Sequence, residues 1–329
     1  MAAGTAIIYH YFEKDSVYRD NLTFFLSTGI HAEADYYIVI SGNCSLSLPE
    51  FDNVKYIYTD NINNDFGGYS NFINHHFIDC YEFYIFINSS VRGPFTPPYL
   101  SRHWSEIFTS KLQANVHLVG ASINILPEWS DFKNKYSKMF SSECTGSHVQ
   151  TTSYALTRKA MKHLIEIGFY KTDKAYEKFE VILAYELRLS NEIAKNGWNF
   201  ESILPIYNNV NCHNSEVRFK NKTSKEGDVL WRSAFFGRSL SPLEVVFVKT
   251  NRDMIDEADL ASFTFTGIHD RKLTKTWGAA SDLLEQSYLQ SSKPSESYKN
   301  EKPAARLFRK LRNFKRRIFQ QNIKKGKSF

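Results

Sequence analysis

Residues 82–94 read EFYIFINSSVRGP. The five consecutive apolar residues Phe83, Tyr84, Ile85, Phe86 and Ile87 are aromatic or β-branched, the composition of a short strand buried on both faces. That run stops abruptly at Asn88-Ser89-Ser90, small polar side chains followed by Arg92, Gly93 and Pro94. In open α/β sheets ligands lie outside the carboxyl ends of the strands, so this junction is the first candidate site. The same pattern also suits an ordinary strand-to-turn junction, and the segments upstream bear on the choice.

Working back from it, Thr5 to Glu13 (TAIIYHYFE) reads as a first strand, followed by a helix from about Asp15 that Gly29 stops. Ala34 to Ile40 and Val54 to Thr59 read as the second and third strands. This order with short turns implies an α/β fold with a mostly parallel sheet flanked by helices, of the nucleotide-binding kind. Asp60 to Asn74 (DNINNDFGGYSNFIN) sets polar residues before Gly67-Gly68 and a helix through Asn71 after them. Adjacent glycines at such a turn allow close backbone approach, and the helix N-terminus offers free N–H groups to an anion. Gly67, Gly68 and Asp65 are therefore expected beside the end of the 83–87 strand.

Further along, Trp104 to Leu112 reads as a helix, Val116 to Ile125 as one strand, 127–147 as an irregular polar loop over the site, and His148 to Thr157 as one strand. Arg158 to Gly168 and Phe179 to Asn196 read as helices, the second stopped by Gly197 and carrying Glu186 near its middle. Leu243 to Lys249 (LEVVFVK) reads as a strand within a polar and aromatic section. The expected organisation is a catalytic domain over 1–207, an extension packed on it over 208–280, a Ser/Lys/Glu/Pro-rich linker over 281–302, and a basic tail over 303–329.

Net charge is +6 for the 329 residues, but it is unevenly placed. No acidic residue follows Glu301, whereas 11 of the 41 Lys and Arg do, so the body is mildly acidic and the tail carries the excess. In that tail Leu307, Leu311, Phe314 and Ile318 recur at helical spacing among arginines and lysines, a basic amphipathic helix. Of the three readings of such a helix, it suits an anionic membrane surface better than nucleic acid or a plain solvated helix, because Phe308, Phe314 and Phe319 add apolar bulk that phosphate contacts do not need. The cysteines Cys44, Cys80, Cys144 and Cys212 form no metal-binding spacing and read as reduced thiols. The first residues, MAAGTAIIYHYF, show no basic region followed by a long apolar run, and a cytoplasmic location with peripheral attachment to the inner membrane face is expected.

Taken together, the third strand, the Gly67-Gly68 stretch with its Asn-containing helix, and YIFINSSVRGPF resemble the GT-A nucleotide-sugar glycosyltransferases. More specifically they are similar to bacterial capsule and O-antigen transferases of the rhamnan-synthesis type, some associated with galactofuranose or rhamnose transfer. The resemblance spans roughly residues 5–207. A second anchor is YELRLSNEIAKNGW: inverting members carry an acidic pair on a helix that ends in Gly-Trp or Gly-Tyr, and Glu186 falls at the position of their general base. The chemistry fits, since an acceptor hydroxyl must lose its proton as it attacks C1 of the sugar. An alternative role for Glu186 is a surface ion pair with Arg188 or Lys195.

The resemblance implies a nucleotide-sugar donor, held by Asp65, Gly67, Gly68, Asn71, Asn88, Ser89, Ser90 and Arg92, and a glycan or lipid-linked glycan acceptor. His148 and Gln150, with Thr151 and Thr152, are candidates for the sugar pocket; Lys249 and Arg252 are candidates for the diphosphate. The chain departs from the family where a strand-end carboxylate would hold Mg2+ or Mn2+, because Asn88-Ser89-Ser90 carries no charge. Asp60 or Asp65 would have to supply it, or Arg92, Lys249 and Arg252 would neutralise the diphosphate without metal. The rival readings are a sugar-nucleotide or glycan-binding protein without turnover, and a nucleic-acid binder using the tail, which the acidic body disfavours.

Overall fold

The computed structural model describes residues 4–127, 129–171, 174–208 and 227–270. Strand β1 (Thr5–Tyr11) is buried over all but its first residue, and Asp15 caps helix α1 (Ser16–Thr28) by accepting from the amides of Val17 and Tyr18. Then come β2 (Ala34–Ser41), β3 (Val54–Thr59), α2 (Asn64–His76), β4 (Phe83–Asn88) and the short β5 (Val91–Arg92). Next are α3 (Trp104–Thr109), β6 (Val116–Gly120), β7 (Ile123–Ile125), α4 (Asp131–Phe140), β8 (Ser147–Val149), β9 (Ser153–Thr157) and α5 (Arg158–Glu166). A continuous helix follows, α6 (Lys178–Val181), a π-helical segment (Ile182–Leu187) and α7 (Arg188–Lys195), before β10 (Asn199–Ser202), α8 (Pro242–Val245), β11 (Val248–Lys249) and α9 (Glu257–Asp270).

The main sheet has seven strands in the order β10-β6-β9-β4-β1-β2-β3. All neighbours are parallel except β9, which runs antiparallel between β4 and β6. The chain steps from β1 outward to β2 and β3, then returns through α2 to β4 on the other side of β1. The β1/β4 pair is therefore a topological switch point, where a crevice opens beyond the carboxyl ends. Asn88 pairs with His10 at that end, and the segment Gln150–Thr152, entering β9 from the opposite direction, arrives at the same edge. Residues 227–270 pack in the same unit as the sheet, with β11 pairing antiparallel to β5.

Several sequence expectations are corrected by tertiary contacts. The expected strand 116–125 is broken: the amide of Ala121 bonds to Ser153 and the carbonyl of Ser122 accepts from Gln150, so β6 and β7 join different sheets. The same turn splits 148–157 into β8 and β9. The expected loop over 127–147 contains helix α4, capped by Ser130 and anchored by Tyr136, which is fully buried in a small core with Leu126, Cys144, Leu183 and Leu187. The expected strand 243–249 begins as helix α8, because Ser241 and Glu244 form a capping box around Pro242. The linker and basic tail expected over 281–329 lie outside the described residues.

Gly67 and Gly68 do not form the expected turn; they lie inside α2, which starts earlier from Asn63 in a left-handed conformation (φ 54°). They are there for closeness: a Cβ on Gly67 would sit 1.6 Å from the Ile62 carbonyl oxygen, and one on Gly68 would sit 2.2 Å from the His10 ring. In an ordinary helix Gly→Ala stabilises by about 1 kcal/mol. Here Gly67→Ala is expected to destabilise by roughly 1–3 kcal/mol, since backbone must shift to admit the methyl group. A urea unfolding midpoint at or above that of the parent protein would contradict this packing.

Candidate active site

The crevice is built by residues that the strand ends leave polar. Asn88 donates from Nδ2 to Asp65 Oδ2 at 2.9 Å, and its Oδ1 accepts from Ser90 Oγ at 2.6 Å. Ser89 is locked by accepting from the Phe12 amide at 3.2 Å and, at its carbonyl, from Asn21 Nδ2 at 2.9 Å. The amide of Thr250, just past β11, donates to the Ser90 carbonyl at 3.0 Å, and this carries Lys249 and Arg252 to the edge of the same crevice. The cavity of about 400 Å³ that results is lined by Asp65, Asn88, Ser89, Ser90, Gln150, Lys178, Ile182, Glu186, Lys249 and Arg252, with His10, Phe12 and Tyr18 on its β1/α1 side.

Glu186 is placed by the π-helical segment. Val181, Ala184 and Tyr185 face the main core, whereas Leu183 and Leu187 face the smaller one with Tyr136. Lys178, Ile182 and Glu186, four residues apart, are left along the remaining face and line the cavity. A π turn inside a helix is frequent at functional sites. The Glu186 side chain is 27% exposed, and that exposure opens into two cavities. The second, about 250 Å³, is lined by Asn124, Phe132, His148, Gln150, Ile182, Glu186, Asp228, Trp231 and Arg252. Gln150, Ile182, Glu186 and Arg252 thus form a wall common to both.

Burial pushes the Glu186 carboxyl up to about 7; Lys249 and Arg252 oppose this, while Asp228 and Asp65 reinforce it. Burial likewise brings Lys249 down to about 8, helped by Arg252 and resisted by Glu186, Asp228 and Asp65. Asp65 is also raised by burial, against its bond from Asn88 and the charge of Lys249. The His148 imidazole, 3.9 Å from Glu186, is held at about 4 by burial, so at neutral pH it is uncharged and is no counter-ion for the carboxylate. Arg252 is already engaged, bonded to Asp228 and stacked 4.8 Å from the Trp231 ring centre. Asp228 in turn accepts from Gln150 Nε2 at 2.7 Å. The Lys249 side chain, in contrast, makes no hydrogen bond or ion pair with another described residue.

The structure thus brings together Asp65, Asn88, Ser89, Ser90, Gln150, Glu186, Lys249 and Arg252 in one cavity, and His148 in its neighbour. It does not bring Arg92 there. That guanidinium is buried on the far side of the strand end, donating to Asn21 Oδ1 at 2.9 Å and Thr264 Oγ1 at 3.2 Å, where it ties α1 to α9. Gly67, Gly68 and Asn71 shape α2 without lining the cavity, and Asp60 is exposed outside it. Sequence reading missed Asp228 and Trp231, which stand in a polar section with no periodicity to mark them.

The donor set does not fit a metal clamp of the usual paired-carboxylate kind. Among the described residues Asp65 is the one carboxylate at the strand end, its partner Asn88 is neutral, and a lysine shares the cavity. Among the described residues the three-residue cluster able to ligate an ion lies elsewhere, at His31, Glu33 and His103.

No protein-family model and no curated protein matches the chain. Among solved structures it is similar to the mannosyltransferase PcManGT from Pyrobaculum calidifontis in complex with GDP-Man and Mn2+, at 12% identity over 95% of this chain and 81% of that one, with a TM-score of 0.37. It is also similar to the galactosyltransferase LgtC in complex with donor and acceptor sugar analogues, at 10% identity over 89% and 99%, TM-score 0.38. A third similar structure is mouse xyloside xylosyltransferase 1, at 8% identity over 78% and 100%, TM-score 0.40.

Proposed function

We propose that the chain is an inverting glycosyltransferase that moves a sugar from a nucleotide-sugar to a glycan acceptor in cell-surface polysaccharide synthesis, without a metal. The observation that carries this reading is the shared wall: one carboxylate, pushed up to about 7, stands where a 400 Å³ cavity meets a 250 Å³ cavity. In this reading the larger cavity holds the donor and the smaller one the acceptor. The acceptor hydroxyl attacks C1, its oxygen–carbon bond forms as the bond from C1 to the diphosphate breaks, and Glu186 takes the hydroxyl proton. Lys249, unpaired among the described residues, meets the negative charge that develops on the leaving diphosphate. His148 Nδ1 and Asn124 Oδ1 are buried without a partner at the smaller cavity, as groups awaiting a polar ligand would be.

The test is a thermal-shift screen of nucleotide-sugars with EDTA or Mn2+. A ligand at a hundred times its Kd stabilises the folded state by about 2.7 kcal/mol. One nucleotide-sugar class is expected to raise the melting temperature equally in both conditions. A shift seen only with Mn2+ would overturn the metal-independent mechanism, and no shift with any donor would overturn the donor assignment.

The reading extends to the basic tail at 303–329, proposed to hold the enzyme on an anionic membrane where lipid-linked acceptors lie. Among the described residues no helix is long and apolar enough to cross a membrane. Each Lys or Arg near such a surface is worth about 1 kcal/mol. Truncation after Glu301 is expected to abolish co-sedimentation with anionic vesicles while sparing activity on soluble acceptors; unchanged sedimentation would refute the attachment.

A further inference from the structure

We propose that His31, Glu33 and His103 form a binding site for a divalent transition metal of the zinc class, independent of the active site. His31 and Glu33 lie in the turn between α1 and β2, and His103 immediately precedes α3. This is the amino-terminal edge of the parallel strands, opposite the edge that carries the cleft. Glu33 Oε2 lies 3.1 Å from His31 Nδ1 and 3.0 Å from His103 Nε2, and one ligand atom from each residue falls within 4.8 Å of the others. In a tetrahedral zinc site with bonds of about 2.0–2.1 Å the donors stand about 3.4 Å apart, close to the spacing of the Glu33 oxygen from each imidazole nitrogen. The same three atoms can share imidazole protons or a single metal.

The surroundings support ligation. The second ring nitrogen of His31, Nε2, lies 3.0 Å from Ser105 Oγ, the outer hydrogen bond that orients a metal-binding imidazole and fixes its tautomer. The backbone of His103 is held by donating to Glu106 Oε1 at 3.0 Å. The two imidazoles stack with ring centres 4.3 Å apart, so a ring must turn out of the stack for both in-plane lone pairs to reach one ion, a rotation that the exposed His103 side chain can make. Two nitrogen donors and one carboxylate suit Zn2+, Ni2+ or Cu2+ rather than Mg2+ or Ca2+. Three protein ligands leave a fourth position for water, and both histidines also line a cavity of about 520 Å³ with Phe95, Pro97 and Trp104. Bound metal clips the α1–β2 turn to the start of α3 and stabilises the folded chain.

The experiment uses tag-free, chelator-stripped full-length protein, with Zn2+ binding measured by equilibrium dialysis and metal analysis in excess Mg2+. One equivalent is expected to bind, with a rise in melting temperature. His103→Ala and Glu33→Gln, both at exposed side chains, are each expected to weaken that binding at least tenfold while leaving the metal-free melting temperature unchanged. Absence of a tight equivalent, or an affinity unchanged from the parent protein in the two variants, would overturn the site and in the second case place the ion on the thiols or other histidines. Donor binding in the cleft is read separately on the same samples, so failure of the metal site leaves the transferase reading standing.

Discussion

Glu186→Gln is expected to lower kcat by 10² to 10⁴-fold, the range that a positioned general base contributes, while the Kd for the donor stays within a few-fold. The amide keeps the shape of the side chain but cannot take a proton. The same substitution is expected to stabilise the protein at pH 8. A folded-state value of about 7 against an ordinary 4.5 means that the folded chain holds this proton more tightly than the unfolded one. The group's contribution is therefore most favourable below about 4.5 and is lost as the pH rises through about 7, so an ionised Glu186 costs stability above neutrality. Removing the charge should recover about 1–3 kcal/mol, since each tenfold change in proton affinity between the two states corresponds to about 1.4 kcal/mol. A variant that is both more stable and inactive identifies a residue kept for chemistry. Unchanged turnover would remove Glu186 as the base, whereas absence of turnover in the parent protein would favour a binding protein without catalysis.

Lys249→Met is expected to lower kcat by about 10² to 10³-fold, the loss typical of removing one group that stabilises developing negative charge. Its effect is also visible in the pH profile. Glu186 is effective when ionised, so the rate falls as the pH drops through about 7; Lys249 is effective when protonated, so the rate falls as the pH rises through about 8. The parent enzyme should show a narrow bell between these limbs, with apparent values belonging to the coupled cluster that includes Asp65 and Asp228. Lys249→Met should lose the alkaline limb and keep the acid one. Retention of the alkaline limb in the variant would remove Lys249 from the mechanism.

The strands of the switch point were legible because buried parallel strands are written locally, as short apolar runs that end in polar residues. β4, over Phe83–Asn88, lies where its composition predicts it. Glu186 was singled out through the resemblance, by counting back from Gly197-Trp198 to the position of that family's general base, and its side chain lines the cavity wall. Helix α4 was not legible: its one fully buried anchor, Tyr136, acquires its partners from segments before and after it in the chain. Gly67 and Gly68 do mark a close approach, but what approaches them is Ile62 and His10 rather than a ligand.

The amino-acid sequence by itself determined that a buried strand would end in polar residues and that a later helix would run up to Gly197, because hydrophobic periodicity and helix stops depend on neighbours a few residues away. Only the tertiary structure decided which cations join them. Arg92 follows the strand end directly yet turns inward to Asn21 and Thr264, whereas Lys249, over 150 residues later, reaches the crevice through the β5–β11 ribbon and the bond from Thr250 to Ser90. The direction a side chain takes beyond a strand end is set by the hydrogen bonds and packing that distant segments bring to it, and no local pattern encodes those.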